Sequence, residues 1–170
     1  MNFKNVLSLF DGISCAQIAL NKSNHSYKNY YASEIDKYTI KVTQQNYPNT
    51  IQLGDISNIE SESLSEIDLM IGGSCCQSFS FAGKQLAFDD PRGKLLFEYY
   101  RLYKELKPKY FILENVKMKK EYSDKISELF GVQPILINSS LVSAQNRNRL
   151  YWTNILNIKQ PEDKNILLKD

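Results

Sequence analysis

The chain has 170 residues, of which 42% are hydrophobic and 24% charged, with a net charge of +2. One domain's length and ordinary globular composition exclude disordered and collagen-like classes, and so small a positive balance neither announces nor opposes a nucleic-acid partner. No apolar run is long enough to cross a bilayer, MNFKN leads directly into a strand without a signal-peptide core, and three cysteines, two of them adjacent, make no secreted disulfide framework; the expectation is a cytoplasmic protein with no membrane partner.

Short runs rich in Val, Ile, Leu and Tyr, at 5–10, 29–34, 50–53, 67–72, 109–114, 134–138 and 149–155, alternate with segments of helical period. That alternation predicts an α/β fold whose mostly parallel sheet of seven strands carries helices on both faces. Ala16, Ile18 and Leu20 mark a first helix, and Tyr38, Val42 and Asn46 lie along one side of a second. The clearest helix is RGKLLFEYYRLYKELK, where Leu95, Tyr99, Leu102, Tyr103 and Leu106 recur at helical spacing and Pro108 stops it. Tyr99 and Tyr103 are assigned to the core and given no chemistry. The final QPEDKNILLKD reads as a polar tail.

In an open α/β sheet, ligands bind at the carboxyl ends of the strands, near the point where strand order reverses. The first predicted strand ends at Phe10, and Asp11, Gly12, Ile13 and Ser14 form a loop able to face a ligand with backbone amides. One glycine does not make the G-x-G-x-x-G fingerprint, so a pyrophosphate cradle is disfavoured, while a phosphate-free ligand such as S-adenosylmethionine asks less of the loop. Glu34, ending the second strand in YYASEID, has acceptor capacity for both ribose hydroxyls, and Asp55, in LGDIS, for the adenine amino group. Phe10 and Ile35 could sandwich the purine. The competing reading for each carboxylate is a cap on the following helix.

The run IGGSCCQSFSFAG, at 71–83, places a thiol at the end of a predicted strand among small residues that allow close approach of a ligand. Three further segments accompany it in order: VLSLFDGIS at 6–14, LENV at 113–116 and SAQNRNRLYW at 143–152. Together they resemble the cytosine carbon-5 DNA methyltransferases of bacteria and phages, over nearly the whole chain. The resemblance implies a Rossmann-like methyltransferase fold, S-adenosylmethionine as methyl donor, and DNA with a flipped cytosine as acceptor. It assigns Cys76 as the nucleophile that adds to carbon 6, Glu114 as the acid at N3, and Arg147 and Arg149 as residues that stabilise the nucleotide and the reacting base. Its cofactor set is Phe10, Asp11, Gly12, Ile13, Ser14, Glu34, Ile35, Asp55, Ile56 and Ser74. The acid role requires the Glu114 pKa to be raised, as burial would do.

Other chemistries fit less well. Cys15, Cys75, Cys76 and His25 offer no C-x-x-C pair for a tetrahedral metal, so none is expected. His25, the only histidine, stands in a polar turn with nothing to pair it with Cys76 as a hydrolase would need. The segment SFSFAGKQLAFDDPRGK has few structure-forming signals, and the resemblance makes it a loop that closes on DNA, with Ser78, Ser80, Lys84 and Arg92 as candidate backbone contacts.

The sequence departs from the family's pattern at three points. Ala16 stands where Gly is common. Cys75 replaces the usual Pro before the nucleophile, which frees the backbone and puts a second thiol beside Cys76. Family members also continue into a target-recognition domain, so the expected organisation is a catalytic domain at 1–156, a tail or truncated linker at 157–170, and recognition supplied by a second polypeptide or a homo-oligomer. The alternatives are a non-catalytic methyltransferase-like interaction module and a cytosine methyltransferase acting on RNA.

Overall fold

A computed structural model describes residues 1–73 and 94–168. The strands are β1 (Asn2–Leu9), β2 (Ser26–Ser33), β3 (Ile51–Gln52), β4 (Leu69–Gly73), β5 (Tyr110–Val116), β6 (Ile135–Asn138) and β7 (Asn148–Thr153). Among the described residues the α-helices are α1 (Cys15–Lys22), α2 (Lys37–Asn46), α3 (Lys94–Leu106) and α4 (Lys120–Phe130). The seven strands form one sheet in the order β3-β2-β1-β4-β5-β7-β6. All neighbouring pairs are parallel except β5 with β7 and β6 with β7. Strand order reverses between β1 and β4, which locates the crevice that this class of sheet uses for ligands.

Period-2 alternation decides which side chains each face buries. On one face Leu7 and Leu9 of β1, Met70 of β4 and Phe111 and Leu113 of β5 pack with Leu96, Tyr99 and Leu102 of α3 and with Ile126 and Phe130 of α4. On the other, Val6 and Leu69 pack with Tyr30, Ala32 and Leu20 of α1. Tyr99 is fully buried and its hydroxyl donates to the Ile112 carbonyl at 3.1 Å, so its place in the core is satisfied. Tyr103 packs at a tilt against Phe111 and Phe130 in the same cluster.

Helix ends follow local chemistry. Asp36 caps α2, its carboxylate accepting from the Tyr38 and Thr39 amides at 2.9 Å. Gly131, at φ 69°, ends α4 in the left-handed conformation that a side chain would resist. The Trp152 indole donates to Ser127 at 2.9 Å and ties α4 to β7.

The expected first and second helices both form, and the structure adds which side of each faces inward. The inward residues of α1 are Gln17 and Leu20, while Ile18 is exposed, because positions 16, 18 and 20 do not share a helical face. In α2 only Thr43 is buried, and the Tyr38, Val42 and Asn46 side faces solvent, with Tyr38 69% exposed. Helix α4 was not anticipated from sequence, since Lys120–Phe130 is polar with few inward apolar positions. Strand β7 runs from Asn148 to Thr153 rather than over 149–155, so Arg149 lies within it and Arg147 stays just outside. Residues 154–168 carry no helix or strand, and the Lys164 amide donates to the Leu141 carbonyl at 2.8 Å.

Candidate active site

The carboxyl end of β1 turns through a constrained loop. Phe10, Gly12 and Ser14 all have positive φ, at 58°, 58° and 61°. For the two residues that carry side chains this conformation costs roughly 1–2 kcal/mol each, a strain that persists only where surrounding contacts impose it. Those contacts are present. The Asp11 amide donates to the Ser33 carbonyl at 3.0 Å, the Gly12 amide to Glu34 Oε2 at 2.8 Å, and the Thr43 hydroxyl to the Gly12 carbonyl at 3.3 Å.

Between this loop and the ends of β2 and β4 lies a cavity of about 320 Å³, walled by Phe10, Ile35, Ile56 and Leu95 and edged by Ser33, Glu34, Asp55 and Gly73. It holds two carboxylates and no Lys or Arg among its described lining residues, which suits a ligand without phosphates. Glu34 does not cap α2, a task that falls to Asp36. Its Oε1 accepts from the Ile35 and Asp36 amides at 2.8 and 2.9 Å and its Oε2 from Gly12, so the acceptor capacity left for a ligand rests chiefly on Oε2. Asp55 caps a 3-10 turn, Ile56–Asn58, through Oδ1 to the Ser57 amide at 2.9 Å, which leaves Oδ2 for other partners.

The predicted cofactor residues therefore separate. Phe10, Glu34, Ile35, Asp55 and Ile56 line one cavity. Asp11, Gly12, Ile13 and Ser14 do not line it: Asp11 and Ser14 are buried behind the loop, where the Tyr30 hydroxyl and Ser14 Oγ both donate to the Asp11 carboxylate. Ala16 packs against the core beside Leu20. Ser74 and Cys76, the residue expected to be the nucleophile, lie outside the described residues, as do Cys75 and the candidate contacts Ser78, Ser80, Lys84 and Arg92.

Glu114 sits on β5 in register with Gly73 of β4 and Tyr151 of β7. Arg149 Nε meets its Oε1 at 2.7 Å, with the arginine side chain 16% and the glutamate side chain 29% exposed. Burial raises the Glu114 pKa above its ordinary value, against the opposing charges of Arg149 and Arg147. Arg147 is exposed at the entry to β7, where its amide donates to Asn138 Oδ1 at 3.0 Å.

Gly73 joins the two halves. It lines the cavity, and a Cβ built on it would lie 2.6 Å from Glu114 Oε2, so the carboxylate occupies the space that a side chain would need. Gly72 is equally confined, its Cβ position lying 2.8 Å from the Tyr99 ring and 2.9 Å from the Leu9 carbonyl. The sequence reading missed the Gly73–Glu114 contact and the cavity walls Ser33 and Leu95; the glycine pair ahead of Cys76 was the available signal.

Other candidate groups stay apart. Cys15 is exposed, and His25 stands at the amino side of β2, the end of the sheet opposite Glu114, edge-on to Phe3. Among the described residues no three His, Cys, Asp or Glu side chains converge, and no helix is long and apolar enough to cross a membrane.

Residues 4–169 match a family model described as C-5 cytosine-specific DNA methylase. The orphan methyltransferase M.SPRI of Bacillus phage SPR is 39% identical over 173 aligned positions, covering 94% of this chain and 39% of the phage protein. The type II methyltransferase M.NlaIV of Neisseria lactamica is 34% identical, with 95% of this chain and 45% of that protein covered. The chain thus spans about two-fifths of the length of these curated relatives. In fold it is similar to the Entamoeba histolytica methyltransferase EhMeth, with a TM-score of 0.76 at 17% identity, covering 95% of this chain and 57% of that one.

Proposed function

The chain belongs to the C-5 cytosine-specific DNA methylase family, and from that premise we propose that it carries the catalytic core of an enzyme that methylates carbon 5 of cytosine in DNA. The observation that carries the reading is the placement of Glu114 against Gly73, in the wall of a cavity suited to an adenosyl ligand. Phe10 and Ile35 would flank the purine, Glu34 Oε2 would accept from the ribose and Asp55 Oδ2 from the adenine amine. Bound there, S-adenosylmethionine supplies an electrophilic methyl group.

Carbon 5 of cytosine is a poor nucleophile until a group adds at carbon 6. In the proposed reaction Cys76 Sγ bonds to carbon 6 while N3 takes a proton from Glu114, which leaves an enamine able to attack the methyl group through carbon 5. Loss of the carbon 5 proton to water, departure of the thiolate and return of the N3 proton to the Glu114 carboxylate then restore the ring and the enzyme. Glu114 also accepts from the exocyclic amine, so one side chain both recognises and activates cytosine. Its raised pKa supports the acid role, and Arg149, bound to Oε1, holds the carboxyl in place. Arg147 and Arg149 favour the Cys76 thiolate electrostatically. A reducing cytoplasm would keep Cys75 and Cys76 as thiols.

Recognition of a target sequence needs more buried surface than this face offers, and we assign it to further residues of the same polypeptide or to a second one. The test is transfer of labelled methyl groups from S-adenosylmethionine to mixed-sequence duplex DNA, with transfer RNA as the competing acceptor. Label in DNA at carbon 5 of cytosine is the expected result. Label confined to RNA would move the chain to the RNA reading, and cofactor binding without transfer to either would favour an interaction module.

A further inference from the structure

The loop that sets Phe10 in the cavity wall holds two non-glycine residues in the left-handed region, and besides its bonds to Ser33 and Glu34 it is backed by a side-chain network whose members do not line the cavity. Asp11 is 9% exposed, and its two oxygens accept from different elements: Oδ1 from the Tyr30 hydroxyl of β2 at 2.8 Å, Oδ2 from Ser14 Oγ. The network continues inward. Gln17 of α1, 2% exposed, donates from Nε2 to Ser14 Oγ at 3.0 Å and to Thr50 Oγ1 at 2.9 Å, and its Oε1 accepts from the Tyr27 hydroxyl at 2.6 Å. A buried carboxylate with two side-chain donors cannot release either without a large desolvation cost, so the donors dictate where Asp11 sits, and Asp11 dictates the backbone on both sides of it.

We propose that Tyr30 and Gln17 are positioning residues of the cofactor site: acting through Asp11 and Ser14, they hold loop 10–14 in the strained conformation that sets Phe10 as a wall of the cavity and aims the Gly12 amide at Glu34. The inference rests on the reading of that cavity as an adenosyl site. It gives buried polar residues of β2 and α1, neither of them among the residues assigned to cofactor contact, a task in the binding step. A network of this kind is satisfied as a unit or fails as a unit.

The test uses Tyr30→Phe, which removes one hydroxyl and keeps the ring, with Gln17→Met as a second variant should the first fail to fold. Affinity for S-adenosylhomocysteine is measured by titration calorimetry, and amide hydrogen exchange is followed over residues 10–16 and over β4 and β5. Loss of a hydrogen bond to a buried carboxylate is expected to weaken binding by about tenfold, with faster exchange at Gly12 and Ser14 and wild-type protection in β4 and β5. Wild-type affinity with a protected loop in either folded variant overturns the proposal. Exchange that rises uniformly across the sheet also overturns it, since that marks a general structural role. If the wild-type chain does not bind S-adenosylhomocysteine, the functional reading fails on its own, and the contrast between loop and sheet exchange still decides whether the network holds the loop.

Discussion

Glu114 stands between opposed influences, burial that favours its neutral form and two arginines that favour its charge, and burial prevails. A carboxyl whose folded pKa lies above its ordinary value keeps its proton after the unfolded chain has lost it. Its contribution to stability is therefore full below the ordinary value of 4.5 and lost as pH rises through the folded value. Urea unfolding of the wild type and Glu114→Gln across that range should show the wild type's relative stability falling as pH rises; a pH-independent difference would contradict the assignment. Asp55 can be tested separately. Asp55→Ala should lower affinity for S-adenosylhomocysteine several-fold and cost about 1 kcal/mol of stability through loss of its cap, and calorimetry paired with thermal unfolding would separate the two effects. Glu34, Asp55, Phe10 and Ile35 were legible in the sequence because strand ends are. The inward turn of Asp11 was not, since spacing does not say which way a side chain points when the residues on either side of it have positive φ.

At the scale of elements, the doublet Gly72–Gly73 does two jobs on adjacent residues. Gly72 admits the Tyr99 ring of α3 on the core face, and Gly73 admits the Glu114 carboxylate on the site's face. Gly72→Ala should destabilise the fold by about 1–3 kcal/mol through overpacking, read as an earlier unfolding midpoint. Gly73→Ala should leave stability nearer the wild type and abolish methyl transfer, because Glu114 would have to leave its place beside Arg149. The reverse ranking would contradict both roles. Helix α3 also holds the cavity's far wall: Arg101 donates to the Ile56 and Ile59 carbonyls at 3.3 and 3.2 Å, fixing the turn that carries Asp55 and Ile56. These couplings pass between strands and helices remote in sequence, and a single sequence does not display register. The same limit explains α2, whose apolar-looking side faces solvent, and α4, whose charged residues mask the Ile126 and Phe130 that anchor it.

At the scale of the molecule, the sheet's reversal between β1 and β4 brings the ends of β1, β2, β4 and β5 to one edge. The cavity occupies the β1, β2 and β4 ends, and Glu114 occupies the β5 end beside it. The strand count and the parallel character of the sheet were readable from the alternation of apolar runs. The antiparallel insertion of β7 between β5 and β6 was not, although it is what carries Arg149 to Glu114. Cys76 follows Gly73 by three residues in the sequence, and the proposed chemistry depends on its thiolate meeting the base that Glu114 would hold.

Covalent trapping tests that dependence most directly. The reduced protein is incubated with S-adenosylmethionine and mixed-sequence duplex DNA containing 5-fluorocytosine, in parallel with Cys76→Ala, and denatured products are resolved by size. Fluorine at carbon 5 blocks the final elimination, so a denaturant-stable protein–DNA adduct formed by the wild type and absent from Cys76→Ala is the predicted result. An adduct formed equally by Cys76→Ala would contradict the account.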